Sequence, residues 1–255
     1  MMTHDPVAFV HRYEDDRDRE MAGFIAAQFA YGKIGLFAAF LENLFARMDG
    51  SPCRFVGEGD FAHLKGLCYR FQKEGDILQL FAMLRRIIDR FGGIGAMLEA
   101  FYDGDTRRCL WRVREQLFGA SRDLDFFFPR QSQANPQKRW NLYLRWMVRK
   151  DEIDVGLWHF IDKKDLVVPL DTHIFKIGRC LGWTTRQTPS WQAAREITEV
   201  LKEECPEDPL KYDFFLCHCV GIGAGCSGRR NADCEGRCPI YGEALGIPSR
   251  ERRSL

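Results

Sequence analysis

The chain has no run of about 18 apolar residues, so no membrane-spanning helix is expected. Its opening, MMTHDPVAFVHRYEDD, lacks the charged-then-apolar order of a secretory leader. A cytoplasmic protein with no membrane partner is therefore expected. Net charge is also nearly absent, since 37 Lys and Arg against 36 Asp and Glu leave +1. Nucleic-acid-binding domains are often strongly basic, so such a role has to rest on a local patch. No repeat of fixed period and no low-complexity tract occurs, which excludes solenoids and arrays. Period-two alternation is scarce, which argues against sheets. The pieces FGGIGA and VGIGAG follow no strand, which removes the main reason to read them as dinucleotide loops.

What is present is an ordinary globular composition, with 255 residues of which 45% are apolar and 29% charged. That suffices for one large domain or two small interlocked ones. Helical periodicity dominates, and the expected class is all-α. An early helix carries Met21, Phe24, Ile25, Gln28 and Phe29 on one face. Helices are expected over Lys33 to Met48, closed by Asp49-Gly50-Ser51-Pro52, and over Phe61 to Glu74, Asp76 to Phe91 with Asp76 as N-cap, Ala96 to Tyr102 and Thr106 to Phe118. Asp123 to Asn135 reads as a loop or boundary, in which Phe126 to Phe128 lid a groove or plug a junction. Beyond it, Asp154 to Leu166 is expected as a helix and turn, and Pro189 to Cys205 and Asp208 to Val220 as helices. A polar tail, 242–255, closes the chain.

Two stretches carry the charge pattern of interest. KRWNLYLRWMVRK, Lys138 to Lys150, has five cations and no acid. At about 100° per residue Lys138, Arg145 and Arg149 fall on one line, opposite Trp140, Tyr143, Leu144 and Met147. This predicts a helix that holds a row of positive charge toward solvent or a polyanion. Further on, Asp171 stands immediately before THIFKIGRCLG, in which Ile174, Ile177 and Leu181 recur at helical spacing up to Gly182. Asp171 is the expected N-cap and Gly182 the C-terminal stop.

LDTHIFKIGRCLG, Leu170 to Gly182, resembles the signature of the helix-hairpin-helix DNA glycosylase superfamily, which includes endonuclease III and the adenine-mismatch and 8-oxoguanine glycosylases. There a catalytic Asp starts a helix that begins with Thr-His. KRWNLYLRW resembles the helix of 8-oxoguanine glycosylases that opens on a Schiff-base Lys, with Arg as the seventh residue after it. AGFIAAQFAYG resembles an early helix of the superfamily whose Gln projects into DNA. As a whole, from about Asp5 to Tyr241, the chain is most similar to an outlying bacterial branch of unassigned function. One departure stands out: the superfamily's Leu-Pro-Gly-x-Gly hairpin, which grips phosphate through backbone amides, is replaced by Gln133-Ala134-Asn135-Pro136-Gln137.

The resemblance implies a two-lobed fold with a DNA groove, and a monomeric base-excision repair enzyme acting on double-stranded DNA with a damaged or abasic nucleotide. It implies glycosylase and AP-lyase chemistry, with an oxidised purine such as 8-oxoguanine as the lesion. Lys138 is the implied nucleophile and Asp171 the carboxylate that stabilises positive charge on the sugar. Gln28, Arg139, Arg145, Arg149, Lys150 and His173 are the implied DNA contacts. A flipped base needs an aromatic-lined pocket, for which Trp140, Tyr143, Trp146 and Phe175 are the candidates. A non-catalytic DNA- or RNA-binding protein and a monofunctional glycosylase remain as alternatives.

Ten cysteines in a cytoplasmic chain argue against a disulfide framework. Five of them lie between Cys217 and Cys238. Cys226, Cys234 and Cys238 resemble the 4Fe–4S loop of endonuclease III-like enzymes, with each of the two gaps one residue longer and no fourth Cys following. The fourth ligand is then expected from Cys219, or alternatively Cys217. Structural zinc, with His218 as a further ligand, and unligated thiols stay open. Cys53, Cys68, Cys109, Cys180 and Cys205 are read as structural.

Overall fold

A computed structural model describes residues 5–242; most of the expected tail, from 243 on, lies outside them. The protein is all-α, with no strand among the described residues and two isolated bridges, Tyr69 with Gln72 and Lys150 with Val155. Among those residues no helix is long and apolar enough to cross a membrane. The chain forms two compact units, Met1–Arg130 with Trp146–Ile161, and Gln131–Arg145 with Asp162–Leu255.

The first unit contains α1 (Asp16–Phe29), α2 (Ile34–Ala46), α3 (Pro52–Glu58), α4 (Glu74–Phe91), α5 (Ile94–Phe101) and α6 (Thr106–Phe118). A 3-10 segment, Pro6–Arg12, precedes them, capped by the Asp5 carboxylate, which accepts from the Val7 amide at 2.9 Å. Every residue of α1 from Met21 to Phe29 is buried, so this part of α1 is enclosed on all sides rather than along one stripe. Gln28 is fully buried with it, which corrects its expected projection into DNA. Glu20 of α1 accepts from the Ile94 and Gly95 amides and from Trp158 Nε1, each at 2.9 Å. One carboxylate thus covers the positive N-terminal end of α5 and fastens the segment that returns after α7.

Three further expectations in this unit needed changing. The expected helix over Phe61 to Glu74 is only a 3-10 segment, Phe61–Leu64, followed by turns and the Tyr69–Gln72 bridge. Pro52, read as a helix stop, is the first residue of α3, where its missing N–H costs nothing. Asp76 is the third residue of α4 rather than its cap, and accepts from the Lys73 amide at 2.8 Å. The phenylalanine run packs on α1 within the unit: Phe128 lies 5.8 Å from Phe24, and Phe127 lies 5.5 Å from Phe29. Fully buried Arg114 ties the loop beneath it, bonding the Ser121 carbonyl and the Asp125 carboxylate.

The chain passes from the second unit into the first within α7 (Lys138–Val148), between Arg145 and Trp146. The stretch after α7 is not the expected helix. Val155 and Gly156 amides donate to the Trp146 carbonyl, and the Trp158 amide donates to Met147 at 2.7 Å. Residues that pattern as a helix are used instead to satisfy the last carbonyls of α7. Gly156, at φ +61°, makes this reversal, and a side chain there would strike Lys150.

The second unit holds the start of α7, then α8 (Thr172–Cys180), α9 (Trp191–Glu204), the helical turn α10 (Asp213–Phe215) and α11 (Cys234–Arg237). The expected helix over Asp208 to Val220 is instead α10 running into a π-helix, Leu216–Gly223. This π-helix packs on α8. Gly178 lets α8 lie close to α9, since a Cβ there would stand 2.5 Å from Ile197 Cδ1.

Candidate active site and cysteine cavity

Asp171 is the N-cap of α8, as its position before Thr-His predicted. Its Oδ1 accepts from the His173 and Ile174 amides, both at 2.8 Å. Its Oδ2 receives the Cys217 thiol at 3.4 Å. Burial, and then the charges of Asp171 and Asp213, hold the Cys217 thiol well above its ordinary range, while Lys138 pulls it the other way. Cys217 is therefore a protonated donor at neutral pH, bonded to Asp171 and near enough to Lys138 to feel its charge. Both residues are half-buried and stand at the starts of two helices of one unit. π-Helical turns often re-aim a side chain at functional sites, and here Cys217 lies within one.

The π-helix comes close to α8 at one glycine. A Cβ on Gly221 would meet His173 Cβ at 2.6 Å and its Nδ1 at 3.2 Å. His173 is thus half-buried against the π-helix backbone. Gly221→Ala should destabilise the protein by about 1–3 kcal/mol through overpacking. Gly57→Ala in α3, where nothing lies within 4 Å, should instead gain about 0.5–1 kcal/mol from the lower entropy of the unfolded chain. Urea midpoints of the two variants should move in opposite directions, and a shift of the same sign in both would contradict this packing.

The entry into α7 is a side-chain-stabilised turn in place of a glycine hairpin. Asn135 accepts from the Gln137 amide at 2.8 Å, and Asn141 donates to the Pro136 carbonyl at 3.0 Å. Gln137 holds φ +53°, a left-handed conformation that non-glycine residues rarely adopt. The Gln133 carbonyl accepts from Trp191 of α9 at 3.0 Å.

The basic row expected on α7 does not face outward. Arg145 is buried against Asp213, and Arg149 against Asp154 with Asp151 beside it. An arginine paired with buried carboxylates has no free charge for phosphate, so Arg145 and Arg149 are structural. Arg139 is half-buried and Lys150 exposed. Trp140, Tyr143 and Trp146 are core residues, which removes them as walls of an open base pocket. Phe175 lines a cleft of about 360 Å³ together with Lys176, Arg179 and Arg229. Lys176 and Arg179 went unnoticed in the sequence, although the spacing in THIFKIGRC places both on the exposed side of α8. They supply basic surface that Arg145 and Arg149 do not.

None of the ten cysteines is in a disulfide. Cys226, Cys234 and Cys238 line one cavity of about 180 Å³, and the fourth thiol in its wall is Cys180. Neither Cys219 nor Cys217 lines it, and Cys217 is instead held by Asp171. Burial, then the proximity of Cys226, Cys234 and Cys238, pushes the Cys180 thiol up, and Arg230 opposes them. His218 stacks on Phe214 at 4.1 Å. Among the described residues no three His, Cys, Asp or Glu side chains converge closely enough to hold a single metal ion. Four thiols around a cavity nevertheless form the donor set that iron–sulfur clusters use.

No curated protein and no solved structure matches the chain. The chain belongs to the family described as a protein of unknown function (DUF2400), whose model matches residues 5–222, a span that holds Lys138, Asp171, Cys180 and Cys217 and ends short of Cys226.

Proposed function

We propose that this protein is a DNA base-excision repair glycosylase with AP-lyase activity on oxidised purines. The observation that supports the reading most is that Asp171, bonded to the Cys217 thiol, and Lys138, whose charge acts on the same thiol, belong to one locality of one unit. A two-lobed helix-hairpin-helix arrangement with a DNA groove belongs to the same proposal, as do a monomeric state and a cytoplasmic, nucleoid-associated location.

In this mechanism the Lys138 amine bonds to C1′ of the damaged nucleotide as the glycosidic C–N bond breaks. The base leaves with the electron pair and takes up a proton. Positive charge that develops on the sugar is stabilised by the Asp171 carboxylate, whose orientation is fixed by two backbone amides and a thiol. The amine's proton passes to the ring oxygen as the sugar opens, giving the protonated Schiff base. Loss of a C2′ proton then expels the 3′ phosphate, and water releases Lys138 from the imine. Lys176, Arg179 and Arg229 provide the phosphate contacts. The cysteine loop, carrying Arg229 and Arg230, is braced by a metal group of four thiolates, for which an iron–sulfur cluster and zinc are both candidates.

Borohydride should trap the wild-type protein covalently on duplex DNA containing an abasic or 8-oxoguanine site. Lys138→Ala should give no adduct. A wild type that forms none loses the lyase reading, and a Lys138→Ala variant that traps normally removes Lys138 as nucleophile. The basic cleft of Lys176, Arg179 and Arg229 favours one second reading, a nucleic-acid-binding protein without chemistry. Salt-dependent duplex binding with no adduct would mark that outcome.

A further inference from the structure

We infer that Cys180, with Cys226, Cys234 and Cys238, holds an iron–sulfur cluster, and that the cluster fastens the C-terminal end of the helix that presents Asp171. This rests on the reading that the cysteine loop carries a metal group, and not on the chemistry of Lys138. The four thiols line one cavity, with Arg237 in the same wall. Three come from the loop after the π-helix, whereas Cys180 is the last residue of α8.

Three further contacts show the loop built onto this site. Gly228, at φ +83°, lies so close to α8 that a Cβ on it would stand 3.0 Å from Lys176 Cβ. The Asn231 amide donates to Cys234 Sγ at 3.4 Å, and that thiol donates to Asn231 Oδ1 at 3.2 Å, which ties the loop around Cys234. Arg237 donates to the Ala224 carbonyl at 3.2 Å, which closes the loop near the end of the π-helix.

The geometry favours a polynuclear group over zinc. Tetrahedral zinc with bonds of about 2.3 Å draws its four sulfurs to about 3.8 Å from one another. No such convergence exists among the described residues. In a 4Fe–4S cluster each thiolate binds a different iron, so the four sulfurs ring a wider space, and the four thiols here line a cavity of about 180 Å³. The arrangement joins the loop to α8 itself. Asp171 caps one end of this nine-residue helix and Cys180 ends the other.

Metal analysis of anaerobically purified protein tests the assignment. Wild type should contain about four irons and four acid-labile sulfides per chain, with visible charge-transfer absorbance. Cys180→Ser should lose more than half of both, and Cys219→Ser should keep them. Differential alkylation of the wild type supplies a readout that does not depend on a variant folding. Cys180 should be protected together with Cys226, Cys234 and Cys238, and all four should become reactive when the metal is stripped. Zinc in place of iron overturns the cluster. A metal-free wild type overturns the metal reading altogether. Iron that survives Cys180→Ser but is lost in Cys219→Ser, or a Cys180 that is alkylated in the iron-loaded protein, overturns Cys180 alone. Borohydride trapping is scored separately, so a catalytic failure cannot be mistaken for any of these.

Discussion

Arg145→Met should lower the unfolding free energy by about 3–5 kcal/mol, the usual cost of leaving one member of a buried ion pair without its partner. The side chains of Arg145 and Asp213 are 3% and 5% exposed. With Arg145 gone, Asp213 keeps a buried charge that has lost its guanidinium partner. Asp213→Leu should be similarly costly, for the same reason in reverse. The double variant Arg145→Met, Asp213→Leu should recover much of the loss, because replacing both partners removes the desolvated charges together. Urea denaturation of the four proteins measures this directly. If the two single variants cost less than about 1 kcal/mol each, the pair is not buried as described. The effect should also reach the site. Asp213 opens α10, which runs into the π-helix carrying Cys217. The pair thereby sets where that thiol meets Asp171.

Asp171→Asn should reduce base excision about a hundredfold or more, in the range found when one preorganised electrostatic group is removed. Asn caps helices about as well as Asp, so its side-chain oxygen can still accept from the His173 and Ile174 amides. The substitution leaves the fold in place and removes the negative charge. Asp171→Ala removes the cap too, and should cost about 1 kcal/mol of stability in addition. Thermal unfolding and single-turnover excision on 8-oxoguanine duplexes, measured on both variants, separate the two roles. An Asp171→Asn protein that excises at the wild-type rate would leave Asp171 as a helix cap and nothing more.

The helices that could be read in advance were those whose apolar spacing and end signals agree. α6 begins at Thr106 and ends at Phe118 as expected, and α8 runs from its Asp171 cap to Cys180. Pro52 was misleading because the same residue type ends one helix and begins another. Periodicity placed Lys138, Arg145 and Arg149 on one line but carried no information on which way that line faces. Its direction is set by Asp213, 68 residues from Arg145. The same limit hid Cys180. By local pattern it is a small residue ending an amphipathic helix, and only the return of the chain after Gly223 brings three other thiols to it. The π-helix had no local sign either, since its residues pattern as an ordinary helix.

The passage of the chain between units inside α7 has a consequence for how the protein is made. The first unit is completed only by Trp146–Ile161, which includes Trp158, the indole partner of Glu20. During synthesis, residues Gln131–Arg145 of the other unit must leave the ribosome before that closing piece appears. Folding therefore cannot proceed as one finished unit followed by another. The growing chain has to carry the start of α7, with its Lys138 end still lacking α8 and the π-helix, while the first unit closes around the helix's other end. Nascent chains arrested with residue 161 clear of the ribosome should therefore protect α1 from proteolysis better than chains arrested with only residue 130 clear of it.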